Sequence, residues 1–435
     1  MIDVVAPGLA RLGRPFRSLL ASDVLMLLSM MVNHVVLPWR IAHQGGAGHL
    51  AIYAATLAAV SFFALPLLSP LGDRHSKRTL MTVGLAAMLL ESLLQAGMAQ
   101  AEFYRIEWIV ALGVIDTVAR AVIMPVSFSI VAELLPAEHL TEGLGYQRSA
   151  QAVGRLIGPV VAGAILAASG TATALWVNAV FLTVACLLAW RVVVPPRDAS
   201  VRSAAQWMHD LRAGLAAKWK IPTERGWTFV SFLVMIFFVP GIGMLVPLKV
   251  QSLGLSGAWL GACEAGLSVG MLVGSLGGSM WVAKRVGRFR ASTSAILGEG
   301  MLLTVLGFTH QPWLMVVAFT LVGGCIATVQ TVGHTHRMLA MPQDFRARMT
   351  AVNMMVMQVA GILGPGIAGI GLAVFHVDQV YAAFGAGLFL VGLGYRRVPG
   401  YRRFLDMPHE EAAGFYAREH PALFSAGPTS SSIKP

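Results

Sequence analysis

LPAEHLTEGLGYQRSAQAVGRLIGPVVAG, residues 135–163, and MPQDFRARMTAVNMMVMQVAGILGPGIAG, residues 341–369, carry one pattern twice. Adding 206 to Pro136, Gly158, Pro159 and Gly163 gives Pro342, Gly364, Pro365 and Gly369 without a gap. The same step takes Gly72 to Gly278 and Arg78 to Lys284, each read as lying in the loop after the second helix of its half. A repeat of about half the chain, written on apolar segments, predicts two like bundles side by side with a site between them near the membrane midplane.

The surrounding composition makes lipid the main solvent. Of 435 residues, 56% are hydrophobic and 12% charged, with a mean hydropathy of +0.69; soluble domains carry roughly 25% charged residues. At about 1.5 Å per residue, roughly 20 apolar residues cross the hydrocarbon. Such segments lie near 19–42, 49–71, 79–99, 107–134, 142–168 and 171–194, and again near 227–250, 256–282, 291–309, 312–338, 347–373 and 376–396. The expectation is an all-α polytopic membrane protein of twelve spans in two six-helix bundles: 1–194, a linker at 195–226, 227–398, and a tail at 399–435.

Charge sets the orientation. Twenty-seven of the 32 Lys and Arg residues fall on the side shared by the termini and the linker, whereas only Arg40, Arg105 and Lys249 fall opposite. Both termini are therefore expected in the cytoplasm, as in a bacterial-type inner membrane. The net charge of +11 lies in short clusters between spans, which speaks for topology rather than nucleic acid. Arg11, Arg14 and Arg17 precede an apolar segment long enough to be retained as a span. Cys186, Cys263 and Cys325 lack metal-ligand spacing. His334 and His336, two apart, fall on different helix faces, so no metal is expected there. There is no P-loop and no Gly-x-Ser-x-Gly or His-Glu-x-x-His motif, so neither ATP drive nor an enzyme is expected.

In the linker, Trp207, Leu211, Leu215 and Trp219 recur every four residues among Arg212, Lys218 and Lys220. This spacing predicts an amphipathic helix on the cytoplasmic leaflet, with a partner-binding helix as the alternative. The tail reads as a short surface helix followed by disorder.

The loop Leu71-Gly72-Asp73-Arg74-His75-Ser76-Lys77-Arg78 resembles the signature of the major facilitator superfamily, with Ser69 and Ser76 where glycine is usual. The resemblance implies that Asp73, Arg74, Lys77 and Arg78 form a gate between bundles. Gly145, Gly154, Gly158, Pro159 and Gly163 are spaced as in the fifth-helix motif of that superfamily's drug:proton antiporters, with Ala162 replacing one glycine. From Phe16-Arg17 through Arg348-Met349-Thr350 the pattern is similar to the branch of enterobactin exporters and macrolide-efflux proteins, notably at Asp116, Leu135-Pro136, Pro342, Arg346 and Arg348. It implies efflux of a sizeable amphipathic compound, a siderophore or a drug, driven by the proton gradient without a cofactor.

Ionisable side chains inside a span cost at least about 2.5–3.5 kcal/mol and need a reason. Asp116 and Arg120, four apart in the fourth span, read as a same-face pair. With Glu91 and Glu264 they are the candidate proton-coupling groups; Glu299 ranks below Glu264. Asn33, His34, Arg155, Gln330 and His334 are the candidate cavity residues. Arg155 has no acid on its own helix and either pairs across helices or suits an anionic cargo. Asp23 reads as interfacial. The function expected is a monomeric secondary exporter taking small molecules and protons as partners and working by alternating access. Nutrient or metal-ion uptake on the same fold, and a non-transporting receptor or assembly factor, are the alternatives.

Overall fold

The computed structural model describes residues 12–68, 76–192 and 204–424. Among them all regular structure is helical. Ten helices are long and apolar enough to cross a membrane, and two of these each contain two spans. Gly13–Leu68 breaks at Gly46 (φ 69°), and Ala137–Trp190 breaks at Gly170 (φ 79°). Both residues take up left-handed backbone, which glycine adopts without a Cβ clash. The spans are therefore twelve among the described residues: 13–45, 47–68, Lys77–Gln100, Ile106–Leu134, 137–169 and 171–190, then Pro222–Ser252, Gly257–Val286, Arg288–Phe308, Pro312–Ala340, Gln343–Leu372 and Val377–Arg397.

Local chemistry shapes individual spans. Pro240 withholds a backbone donor from the seventh span, which is interrupted at Gly243 and Met244. The eighth and tenth each contain a widened π turn, Gly274–Gly278 and Val329–His334. Such turns re-aim side chains and are frequent at functional sites. Gly278 and Lys284, read from sequence as loop residues, are helical; the turn into the ninth span is made at Gly287 (φ 89°). Apolar length alone placed that boundary too early.

The repeat is written into the packing. Gly158 lies against Met31 of the first span and Gly364 against the Ile236 carbonyl of the seventh, so the same step of the pattern seats the fifth helix of each half on its first. Gly163 and Gly369 cross to the other half: a Cβ on Gly163 would stand 2.5 Å from the Cα of Gly261, and one on Gly369 the same distance from Ala51 Cβ. Small residues let backbones approach where no larger side chain fits.

These contacts gather at the far end of the bundles, away from the linker. There Gln251 donates to the Trp39 carbonyl at 2.9 Å, and Leu166 fills the place a side chain on Gly257 would need. One apolar core crosses both halves there, from Val35, Ile41 and Leu50 to Leu245, Leu260 and Ala368, and continues through the second half to Trp227, Tyr401 and Tyr416 at the linker end. At the linker end the first half has its own core, around Phe16, Leu19, Met81 and Ile130. These cross-half contacts clasp the halves at the far end.

The linker helix, Ala204–Lys220, leaves Leu215 and Trp219 exposed but does not lie free on a surface. Gly214 sits on the Arg348 backbone of the eleventh span, and Lys218 is buried. The tail departs further from its expected form. Tyr401, Phe404, Leu405 and Tyr416 are fully buried, Arg288 donates to the Met407 carbonyl at 2.8 Å, and the Gly414 amide donates to Leu339 at 2.9 Å. Its aromatic residues, irregularly spaced, escaped a reading based on periodicity.

Candidate functional site

In the first half the ionisable residues of the spans converge. Asp116 and Arg120 form the pair their spacing predicts. Glu91, on the third span, lies within electrostatic reach of Arg120, as do Tyr53 and His34. Glu91 accepts from Asn33 at 3.3 Å, Asn33 accepts from Asn178 at 3.3 Å, and Asn178 also donates to Ser92 at 3.0 Å. Asn33 therefore faces the bundle interior, held between the third and sixth spans, rather than lining the cleft. His34, its neighbour, is exposed. Glu91 Oε1 and Asp116 Oδ1 are both buried without a hydrogen-bond partner. Asp116 thus takes the Arg120 guanidinium, and Glu91 is a second carboxyl within its electrostatic reach.

Nearer the linker end, Asp23, read from sequence as interfacial, is buried within the bundle. Ser127 donates to it at 2.8 Å and Gln147 at 2.7 Å. The equivalent level of the second half holds Glu224, which receives Arg337 Nη2 at 2.6 Å, Lys218 Nζ at 3.1 Å and the Tyr416 hydroxyl at 2.9 Å. Arg337 also donates to Thr228 at 2.8 Å and Asn353 at 3.1 Å, and lies 4.7 Å over the Trp227 ring. Gln147 and Asn353 are 206 apart, so the repeat sets an amide side chain in each cluster. Lys218 is the redundant cation, because Arg337 already grips the carboxylate with two nitrogens. Burial, and then the neighbouring Arg337, depress its pKa to about 8. Glu224, Arg337 and Lys218 were not singled out from sequence, where charges at span ends read as topology signals.

The other candidates are dispersed. Gln330 and His334, turned by the π turn of the tenth span, line a cavity of about 140 Å³ within the second half. Glu299, ranked low from sequence, is buried in the same cavity. Glu264 is buried in the eighth span near the crossing with the fifth. Arg155 is exposed, has no acidic partner among the described residues, and uses its backbone carbonyl to accept from Ser268 across the halves at 3.3 Å. Within the glycine motif, Gly154 and Gly158 seat the fifth span on Leu27 and Met31, Pro159 and Gly163 meet Gly261, and Gly145 touches nothing. Asp73 and Arg74 lie outside the described residues. Lys77 pairs with Glu133 at 2.5 Å, and Arg78 donates to the Trp190 carbonyl at 2.6 Å, both within the first half. Two of the three far-end basic residues are engaged internally, one by an acid and one by neutral acceptors. Lys249 is fully buried against Asp378 at 2.6 Å, and Arg40 donates to the Phe103 carbonyl at 2.9 Å.

Residues 19–298 match the model of the Major Facilitator Superfamily. The chain is 22% identical over 393 residues to the multidrug efflux pump Tap of Mycobacterium tuberculosis, covering 86% of this chain and 91% of that protein. It is 23% identical over 246 residues to the multidrug efflux pump Tap of Mycolicibacterium fortuitum, covering 55% and 59%. Among solved structures, it resembles the nucleoside transporter NupG, with a TM-score of 0.71, 13% identity, and 88% and 98% of the two chains covered. The D-xylose-proton symporter follows with a TM-score of 0.67, 15% identity, and 89% and 98% covered.

Proposed function

Since the chain belongs to the Major Facilitator Superfamily, a family of membrane transporters and not of enzymes, we propose that it is a proton-coupled exporter of small amphipathic compounds. It would work by alternating access in a bacterial inner membrane, with its termini in the cytoplasm. The observation that carries the reading is a second buried carboxyl, Glu91, within electrostatic reach of the Asp116–Arg120 pair. Inside a low-dielectric bundle an unbalanced charge is expensive, so the group favours a bound proton. A substrate or a change in hydration that favours the ionised pair would release it. Export, rather than uptake, is supported by the similarity to Tap and by the glycine spacing of the fifth span. A clasped far end fits a state open toward the cytoplasm, where an exporter loads.

A siderophore-like anionic cargo rests on exposed Arg155 alone. Arg155→Ala is expected to weaken an anionic cargo and spare a neutral one. The direct test is accumulation in inverted vesicles. A proton gradient that drives a fluorescent amphipathic drug into vesicles holding the native protein, but not those holding Glu91→Gln with Asp116→Asn, is the result expected. Accumulation that ignores the gradient would remove the antiport reading. Absence of any substrate movement would favour a receptor on a transporter scaffold.

A further inference from the structure

The cavity of the second half has a chemistry distinct from the charged group of the first. Its walls are Trp227 and Phe238 of the seventh span, Tyr395 at the end of the twelfth and Tyr401 of the tail. Glu299 reaches into it from the ninth span and is only 5% exposed. No described residue pairs with or hydrogen-bonds to its carboxyl, whereas Ser231, Tyr395, Arg337 and Asn353 of the walls are engaged. The Tyr395 hydroxyl is shared with Ser231 at 2.7 Å. Arg337, the one strong cation in the lining, is turned toward Glu224, Thr228 and Asn353. Gln330 and His334 are exposed and stand on the lining's tenth-span side, where the π turn aims them.

We propose that this cavity is a binding subsite for the protonated amine of an amphipathic organic cation, with Glu299 as its counter-ion and the rings of Phe238, Tyr395 and Tyr401 beside the ammonium. A buried carboxylate without a partner needs either a proton or a cation. Aromatic rings attract an alkylammonium through their π faces and bury its carbon substituents together with its charge. A metal ion is a poor match, because it needs several oxygen ligands and Glu299 is the one acid in the lining. An anion would meet the carboxylate and find the guanidinium occupied. The volume of about 140 Å³ takes the head of such a molecule, leaving its apolar body to extend past Gln330 and His334.

This subsite rests on the transporter reading, but its test needs no gradient. Binding of radiolabelled 4-phenylbutyl-trimethylammonium is measured on the full-length protein in detergent at pH 8, beside its uncharged isostere with carbon in place of nitrogen. The cation is expected to bind about tenfold tighter than the isostere. Glu299→Gln should bring the ratio to about one, while Glu299→Asp, which keeps the charge and reports on folding, should retain most of it. Glu107→Gln, at an exposed acid in the first turn of the fourth span, should leave the ratio unchanged. Equal binding of cation and isostere to the native protein would overturn the proposal, as would a ratio that survives Glu299→Gln or one lost equally in Glu107→Gln. Failure of gradient-driven export with the binding ratio intact would count against proton coupling and not against the subsite.

Discussion

Replacing Gly163 with valine tests whether the far-end clasp is a working gate. A Cβ at this position would stand 2.5 Å from the Cα of Gly261, where carbon atoms rest at about 3.5–4.0 Å. At least about 1 Å of separation must open, and neither partner has a flexible side chain that could yield. Overpacking of this kind costs about 1–3 kcal/mol. Because the strain exists only while the halves touch at that end, it falls on one conformation and shifts the ratio of states by about 5–150-fold toward opening. The reporter is Leu166→Cys, a buried neighbour of Gly257, in a background with Cys186, Cys263 and Cys325 replaced. A membrane-impermeant maleimide added outside intact cells should label Cys at 166 slowly in the native context and many-fold faster beside Gly163→Val, with transport reduced. Gly145→Val, at a glycine facing open space, should change neither. Unchanged labelling and transport in Gly163→Val would refute the view that this crossing must close.

Neutralising the acids of the first half one at a time should separate their roles. Glu91→Gln leaves a balanced Asp116–Arg120 pair and should abolish gradient-driven flux while preserving substrate exchange, read in reconstituted vesicles. In the second half, Glu224→Gln strands two buried cations and should lower stability by about 3–5 kcal/mol, measured as thermal unfolding in detergent. Tyr416→Phe removes one hydrogen bond to the same carboxylate and should cost about 1.5–3 kcal/mol. Lys218 gives a pH signature. Its pKa falls from 10.5 to about 8 on folding, so between those values the unfolded chain holds the extra proton and stability should rise with pH. Lys218→Met should flatten that rise and be neutral or stabilising at pH 7, and a steeper rise in the variant would contradict the assignment.

Much of the candidate site was legible as residue types but not as partnerships. Asp116 and Arg120 could be paired from spacing, since four residues on a helix fix a shared face. Glu91 and Asn33 could be suspected singly, but their bond joins spans 58 residues apart. Glu224 and Arg337, 113 residues apart, looked like separate topology charges until the seventh and tenth spans brought them together. Glu299 was ranked low because its helix was expected at the periphery, and only the cavity gives its carboxyl a direction.

Hydropathy settled by itself that the chain spans a membrane as helices, because backbone polar groups in lipid must bond within their own segment. The 206-residue repeat settled that there are two like bundles, because equal patterns bury equal faces. It could not say which glycine faces its own bundle and which crosses to the other. Gly158 and Gly163 are five apart and point different ways, one onto Met31 and one onto Gly261, and only packed backbones assign those partners. Tertiary structure likewise decided that the tail is part of the core and that Lys218 is buried. Periodicity reports which face of a helix avoids water or lipid, whereas burial depends on what else in the chain arrives to cover it.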